Sequence, residues 1–211
     1  MAHVMSATAP VPDMYEATPG FQHILEWQGI TSDHRCLLII DAARYEEGEV
    51  LRQIYTLDDD PDWLWLFDQT PFEQDRDAGP IVVDTTLDSA LAQDAAGRWA
   101  ADEAVLVLVS DRESGTALAG FRQSLLVQLD QYGPCFLRPY DNRFLAMLAE
   151  HRPEELVSLI GKGDLLMWSI DREGVTEWSG TIGTSTDFRG LGHTQDASFE
   201  RLLGSVRGLP G

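Results

Sequence analysis

The sequence predicts an α/β fold, a mixed β-sheet with helices packed on both faces and a hairpin near its C-terminal end. Three observations carry that prediction. Short continuous apolar runs, "CLLIID" (36–41) and "AVLVLVS" (104–110), mark strands buried on both faces. Stretches with helical apolar spacing stand between them. The segments "DLLMWSID" and "VTEWSGT" flank Arg172-Glu173-Gly174, the pattern of a β-hairpin.

Taken in order, residues 1–21 open with "MAHVMSATAPVP" and read as a flexible segment. The α/β domain is expected over 22–181. After the first strand, Val50, Leu51 and Ile54 have helical spacing. "DWLWLF" (62–67) and "GPIVVD" (79–84) read as strands, the first apolar on both faces and so buried. There Trp63 and Trp65 share one face, with Leu64 and Leu66 on the other. Leu87, Leu91 and Ala95 form the stripe of a helix, with Asp88 near its positive end. A long helix is expected from Ser114 to Tyr132, because Leu118, Phe121, Leu125 and Leu129 follow i, i+3, i+7, i+11 and Gly133 is placed to end it. "PCFLRPY" then reads as a strand, "DNRFLAMLAEH" as a helix, and "PEELVSLI" as a second helix with proline at its first position. Residues 182–211 are Gly/Thr/Ser-rich and read as a mobile or partner-dependent extension, with a short helix from Ala197 to Val206.

A chain of 211 residues can bury roughly 70% of its unfolded surface without metal or disulfide support. Cys36 and Cys135 each adjoin an apolar run and read as unpaired strand residues of a reducing, cytoplasmic setting. Thirty-five acids against 15 bases give a formal net charge of −20. That balance argues against nucleic acid, whose phosphates need Lys and Arg, and favours a basic protein partner. No apolar stretch approaches the ~20 residues that span a bilayer, so no membrane partner is expected.

Motifs for nucleotide cradles and nucleophile elbows are missing, and His3, His23, His34, His151 and His193 include no i, i+3 or i, i+4 pair. No metal site, cofactor or catalytic residue is therefore expected. Three groups of residues remain. Asp41 and Ser110 end strands, where α/β sheets gather ligands but where polar residues also merely close strands and cap helices. Trp63, Trp65 and Phe72 stand among Asp58, Asp59 and Asp60 in an acid-rich stretch that suits a partner-binding surface, although buried tryptophans are commoner. "PCFLRPYDNRFL" (134–145) is either an anion clamp built on Arg138 and Arg143, or a corner in which Asp141 caps a helix and the two arginines brace it. A structural corner explains every residue there.

The order "CLLIIDAA", "DWLWLFDQT", "AGPIVVD", "RWAADEAVLVLVSD", "LAGFRQSLLVQL", "FLRPYDNRFLAMLAE" resembles the bacterial type VI secretion effector chaperones, or adaptors, of domain-of-unknown-function family 4123, over about residues 35–150. The matching positions are Asp41, Gly79 and Pro80, Ser110, Arg122, and Arg138 with Tyr140, Asp141 and Arg143. Pro139 stands where that family has an aromatic residue, and Asn142 where it has proline. The resemblance implies a non-enzymatic cytoplasmic protein that binds a cognate secreted effector and helps load it onto the VgrG spike. An acidic immunity-type inhibitor of a basic toxin is the alternative.

Overall fold

The structure is a computed structural model that describes residues 5–10, 19–129 and 132–184. Its centre is an open seven-stranded sheet in the order β1-β9-β8-β5-β2-β4-β3. The strands are β1 (Met5–Pro10), β2 (Arg35–Ile40), β3 (Asp62–Trp65), β4 (Ile81–Thr86), β5 (Val105–Val109), β8 (Leu165–Arg172) and β9 (Val175–Ile182). Between β5 and β8, strands β6 (Leu126–Leu129) and β7 (Gly133–Phe136) form a separate two-stranded hairpin. The α/β class holds. Every pairing in the large sheet runs antiparallel.

The continuous apolar runs work as period 2 predicts: alternate side chains of one strand enter different cores. Leu37 and Ile39 of β2, with Leu106 and Leu108 of β5, face one layer. That layer contains α4 (Ser114–Ala117), α5 (Ala119–Ser124), the β6–β7 hairpin, α6 (Asn142–His151) and α7 (Pro153–Leu156). Cys36, Leu38 and Ile40, with Val105, Val107 and Val109, face the other layer. It holds α1 (Pro19–Gln28), α2 (Glu49–Leu57) and α3 (Ala90–Asp94), which runs on as a π-helical turn to Trp99. Both cysteines are free, Cys36 buried and Cys135 half-buried. Burial pushes the Cys36 thiol up to about 12.

The hairpin at the end of the sheet forms as its sequence suggests. Glu173 and Gly174 both take positive φ (57° and 81°), the requirement of a two-residue turn that follows the strand twist. Asp141 caps α6, accepting from Phe144 N at 3.0 Å, and Pro153 opens α7. Ser89 rather than Asp88 caps α3, accepting from Ala92 N.

Four expectations are corrected. The helix drawn from Ser114 to Tyr132 ends at Ser124, and Leu126–Leu129 is strand β6. Leu125 and Leu129 are buried as a helical stripe would have them, but alternation buries Val127 and Leu129 while Leu126 and Gln128 face out. Cross-strand pairing with Gly133–Phe136 satisfies the backbone there, so β7 pairs with β6 and stays outside the large sheet. Gly133 does not stop a helix; at φ 75° it starts β7. Within "DWLWLF" only Asp62–Trp65 is strand, an edge strand whose Trp63, Leu64 and Trp65 are half-buried because only β4 lies beside it, while Leu66 and Phe67 follow it and are buried. Finally, Met5–Pro10, inside the segment read as flexible, adds strand β1 to β9, and α1 begins at Pro19. The helix expected at Ala197–Val206, and the extension beyond residue 184, lie outside the described residues.

Candidate functional site

The antiparallel pairing of β2 with β5 separates the two strand-end residues that the sequence singles out. Ile40 lies opposite Val105 and Cys36 opposite Val109. Asp41 and Ser110 therefore sit at opposite ends of the sheet and share no pocket.

At the Asp41 end the corner closes on itself. The Asp41 backbone N–H donates to Ala104 O at 2.8 Å. Its buried carboxylate makes no cap bond to the short 3-10 turn that follows (Ala42–Arg44); instead Oδ2 accepts from Arg138 and from Arg44 Nε (3.2 Å). Asp41 Oδ1 is buried without a hydrogen-bond partner among the described residues. Arg138 also lies 5.4 Å from the centre of the Tyr140 ring. Burial works against the Arg138 charge, but Asp41, Tyr140 and Asp141 together outweigh it and hold its pKa above the usual value. Burial pushes the Tyr140 hydroxyl up to about 12, with Arg138 opposing. Arg44 donates to Asp102 O at 3.0 Å and lies 3.8 Å from Asp141, while the Tyr45 hydroxyl donates to Asp102 Oδ2 at 2.8 Å.

Arg143 turns elsewhere, to Glu103 at 2.6 Å, and the other Glu103 oxygen accepts from Asp171 N at 2.9 Å. Asn142 is fully buried and donates to Val105 O and Ser169 O, which fastens the start of α6 to two sheet strands. Both arginines of the corner are thus committed to different internal acids. This geometry braces a chain reversal, and Arg138 and Arg143 do not converge on a common point where an anion would sit.

The Ser110 end is similarly tied. Ser110 Oγ donates to the buried Asp164 at 2.8 Å and accepts from Arg112 N. Asp164 also accepts from Gly161 N at 2.9 Å and lies 3.5 Å from Arg112. Burial raises the Asp164 pKa despite those partners. Beside it Arg35 grips Asp84 with two N–H groups, and Ser114 donates to the same carboxylate at 2.8 Å. No histidine or cysteine takes part in this cluster. Among the described residues no group of three or more His, Cys, Asp or Glu is arranged to hold a metal ion.

The third region is the β3 edge, and three further motif residues hold it. Pro80 O accepts from Leu66 N at 3.0 Å, and Arg122 donates to Leu66 O at 3.1 Å and to Trp65 O at 3.5 Å. Gly79 lies so close to Phe67 that a Cβ would stand 2.6 Å from its ring. Trp63 and Trp65 share a face as expected, edge to face with ring centres 5.4 Å apart. Trp63 Nε1 donates to the hydroxyl of Tyr55, which is half exposed. Asp59, Asp60 and Asp62 are exposed beside them, whereas Asp58 caps the end of α2 and accepts from Asp60 N. Phe72 does not join the tryptophans. It packs against the opposite core, 4.8 Å from Phe136 and 5.8 Å from Phe67.

Sequence reasoning missed Tyr55, Arg35 with Asp84, Arg44, Glu103 and the exposed Phe136. The ion-pair partners are far apart in sequence, 49 residues for Arg35 and Asp84, so no local pattern announces them. "PCFLRPY" was read as a strand, but the alternation in "LVQL" was hidden under a helical stripe, so the pairing that sets Phe136 beside Leu126 on the outer face went unread.

No helix of the described residues is long and apolar enough to cross a bilayer, and the motif residues Asp41, Arg138 and Ser110 brace the two ends of an open sheet. The chain belongs to the family described as "Domain of unknown function (DUF4123)", whose model matches residues 36–158, more than half of its length. No curated protein and no solved structure matches it.

Proposed function

We propose that the protein is a non-enzymatic chaperone or adaptor of type VI secretion, which binds a secreted effector in the bacterial cytoplasm and helps load it onto the VgrG spike. The observation that carries this reading is the β3 edge. There Trp63, Trp65 and Tyr55 present half-buried aromatic surface bordered by the exposed carboxylates of Asp59, Asp60 and Asp62. Aromatic side chains held rigid by their neighbours are the commonest anchors of protein interfaces. A border of one charge sign selects a partner of the other and speeds its approach. The net charge of −20 extends the same preference over the molecule. The motif residues support the reading in another way, since all of them that bear a side-chain charge serve internal bracing.

Affinity capture from native lysate at moderate and high salt, followed by binding of the purified pair, tests the proposal. A large effector, with or without its spike protein, is expected, held less tightly as salt rises. Capture of a small basic toxin alone, with rescue of cells from that toxin, would replace the proposal with an immunity role.

A further inference from the structure

The described residues leave five large apolar side chains exposed: Trp27, Tyr55, Leu126, Tyr132 and Phe136. Three of those five lie on the β6–β7 hairpin. Leu126 and Phe136 are direct cross-strand partners in its register, 43% and 45% exposed, so their side chains stand together on the outward face. Phe136 extends that surface sideways to the half-buried Phe72, its ring meeting the Phe72 ring edge to face at 4.8 Å and the buried Phe67 at 5.9 Å. The result is a ridge of Leu126, Phe136 and Phe72 that is anchored in the core but open to solvent.

Phe72 is followed at once by the 3-10 turn Glu73–Ala78, all of it exposed, with Glu73, Asp75 and Asp77 against the lone Arg76. Arg76 is occupied by Asp68 and Asp77. One flank of the ridge is therefore acidic.

We propose that this ridge is a second docking surface, taking a protein segment that presents apolar side chains flanked by Lys or Arg. Exposed apolar surface with a polar rim marks interaction sites, and here the sign of the rim fixes the partner's charge. The ridge is separate from the tryptophan edge: Phe72 packs on the core layer of α5 and α6, Trp63 and Trp65 on that of α2. Two surfaces, one at the β3 edge of the large sheet and one on the β6–β7 hairpin, suit a protein that holds two partners at once, but the inference does not depend on the secretion reading and is tested without any natural partner.

The test titrates the full chain, isotope-labelled for NMR, with three synthetic peptides of equal length: Leu/Lys, Leu/Glu and Ser/Lys. The Leu/Lys peptide should bind, shift resonances of Leu126, Phe136 and Phe72, and weaken as salt rises. Leu126→Ser and Phe136→Ser, each checked for an unchanged far-UV circular dichroism spectrum, should each weaken that binding about tenfold, as expected of anchor residues. Equal binding of the Ser/Lys peptide would overturn the proposal, because charge alone would then suffice. So would tighter binding of the Leu/Glu peptide, shifts centred away from the ridge, or undiminished binding by both Ser variants. Concentration-dependent dimerisation that Phe136→Ser abolishes would also overturn it, making a second copy the occupant.

Discussion

Replacing Gly79 by alanine probes the packing that fixes both the β3 edge and the aromatic ridge. Gly79 has φ −97° and ψ 177°, a backbone that alanine adopts freely, so only its surroundings matter. A Cβ there would stand 2.6, 2.7 and 2.8 Å from Cδ2, Cε2 and Cγ of Phe67, whereas ordinary contact begins at 3.4 Å. The ring would have to retreat by about 0.8 Å (3.4 − 2.6). It has little room, being 4% exposed and enclosed by Phe72, Phe136 and Tyr140 at 5.8, 5.9 and 6.2 Å. Overpacking of this kind costs about 1–3 kcal/mol. The stiffer unfolded chain of an alanine offsets roughly 0.4–1 kcal/mol. A net loss of about 1–2 kcal/mol lowers the melting temperature by roughly 2–8 °C for a chain of this size. Thermal unfolding followed by far-UV circular dichroism measures it, and the near-UV spectrum reports the displaced rings. Phe67→Leu in the same chain should restore part of the loss, since the two positions share the contact. A melting temperature at or above that of the wild type, with an unchanged near-UV spectrum, would refute the packing argument.

Three other predictions follow from separate parts of the fold. Asp141→Ala removes the acceptor for Phe144 N and should cost about 1 kcal/mol in chemical denaturation, while Asp141→Ser keeps most of it; an unchanged midpoint for Asp141→Ala would count against the corner. Burial alone would raise the Asp84 pKa, but hydrogen bonds from Arg35 and Ser114 and the Arg35 charge outweigh it and hold it below the usual value. Its contribution is therefore present above the ordinary carboxylate range of about 4 and lost as pH falls below it, so Asp84→Asn should be less stable at pH 7 and lose less stability on acidification. Reversing Asp59 and Asp60 to lysine should weaken capture of a basic partner mainly by slowing association, by about tenfold at low salt and much less at high salt; salt-independent loss would mean that the edge is not read by charge.

The central strands β2 and β5 were legible because they bury both faces in runs of five or six apolar residues, whereas β1, inside the segment read as flexible, was not. The cap at Asp141 and the opening proline of α7, Pro153, were legible for a similar reason: each is a local pattern with a local cause. Leu126–Leu129 was not, because Leu118, Phe121, Leu125 and Leu129 satisfy helical spacing, and only pairing with Gly133–Phe136 decides against it. Trp63 and Trp65 were placed on the correct shared face, but their exposure depends on β3 having a neighbour on one side only, a property of strand order. The corner residues were recognisable as a group, whereas the pairing of Arg138 with Asp41 spans 97 residues and had to await the fold.

The antiparallel run of β2 and β5 has a further consequence for how such a chain can diversify. Asp41 with Arg138, and Ser110 with Asp164, act as clasps at the two ends of the same central strands, so that pair of strands is held shut from both ends. The tryptophan edge and the Leu126–Phe136 ridge lie on stretches that hang from this frame, over residues 55–77 and 126–136. Substitutions in those stretches leave both clasps untouched.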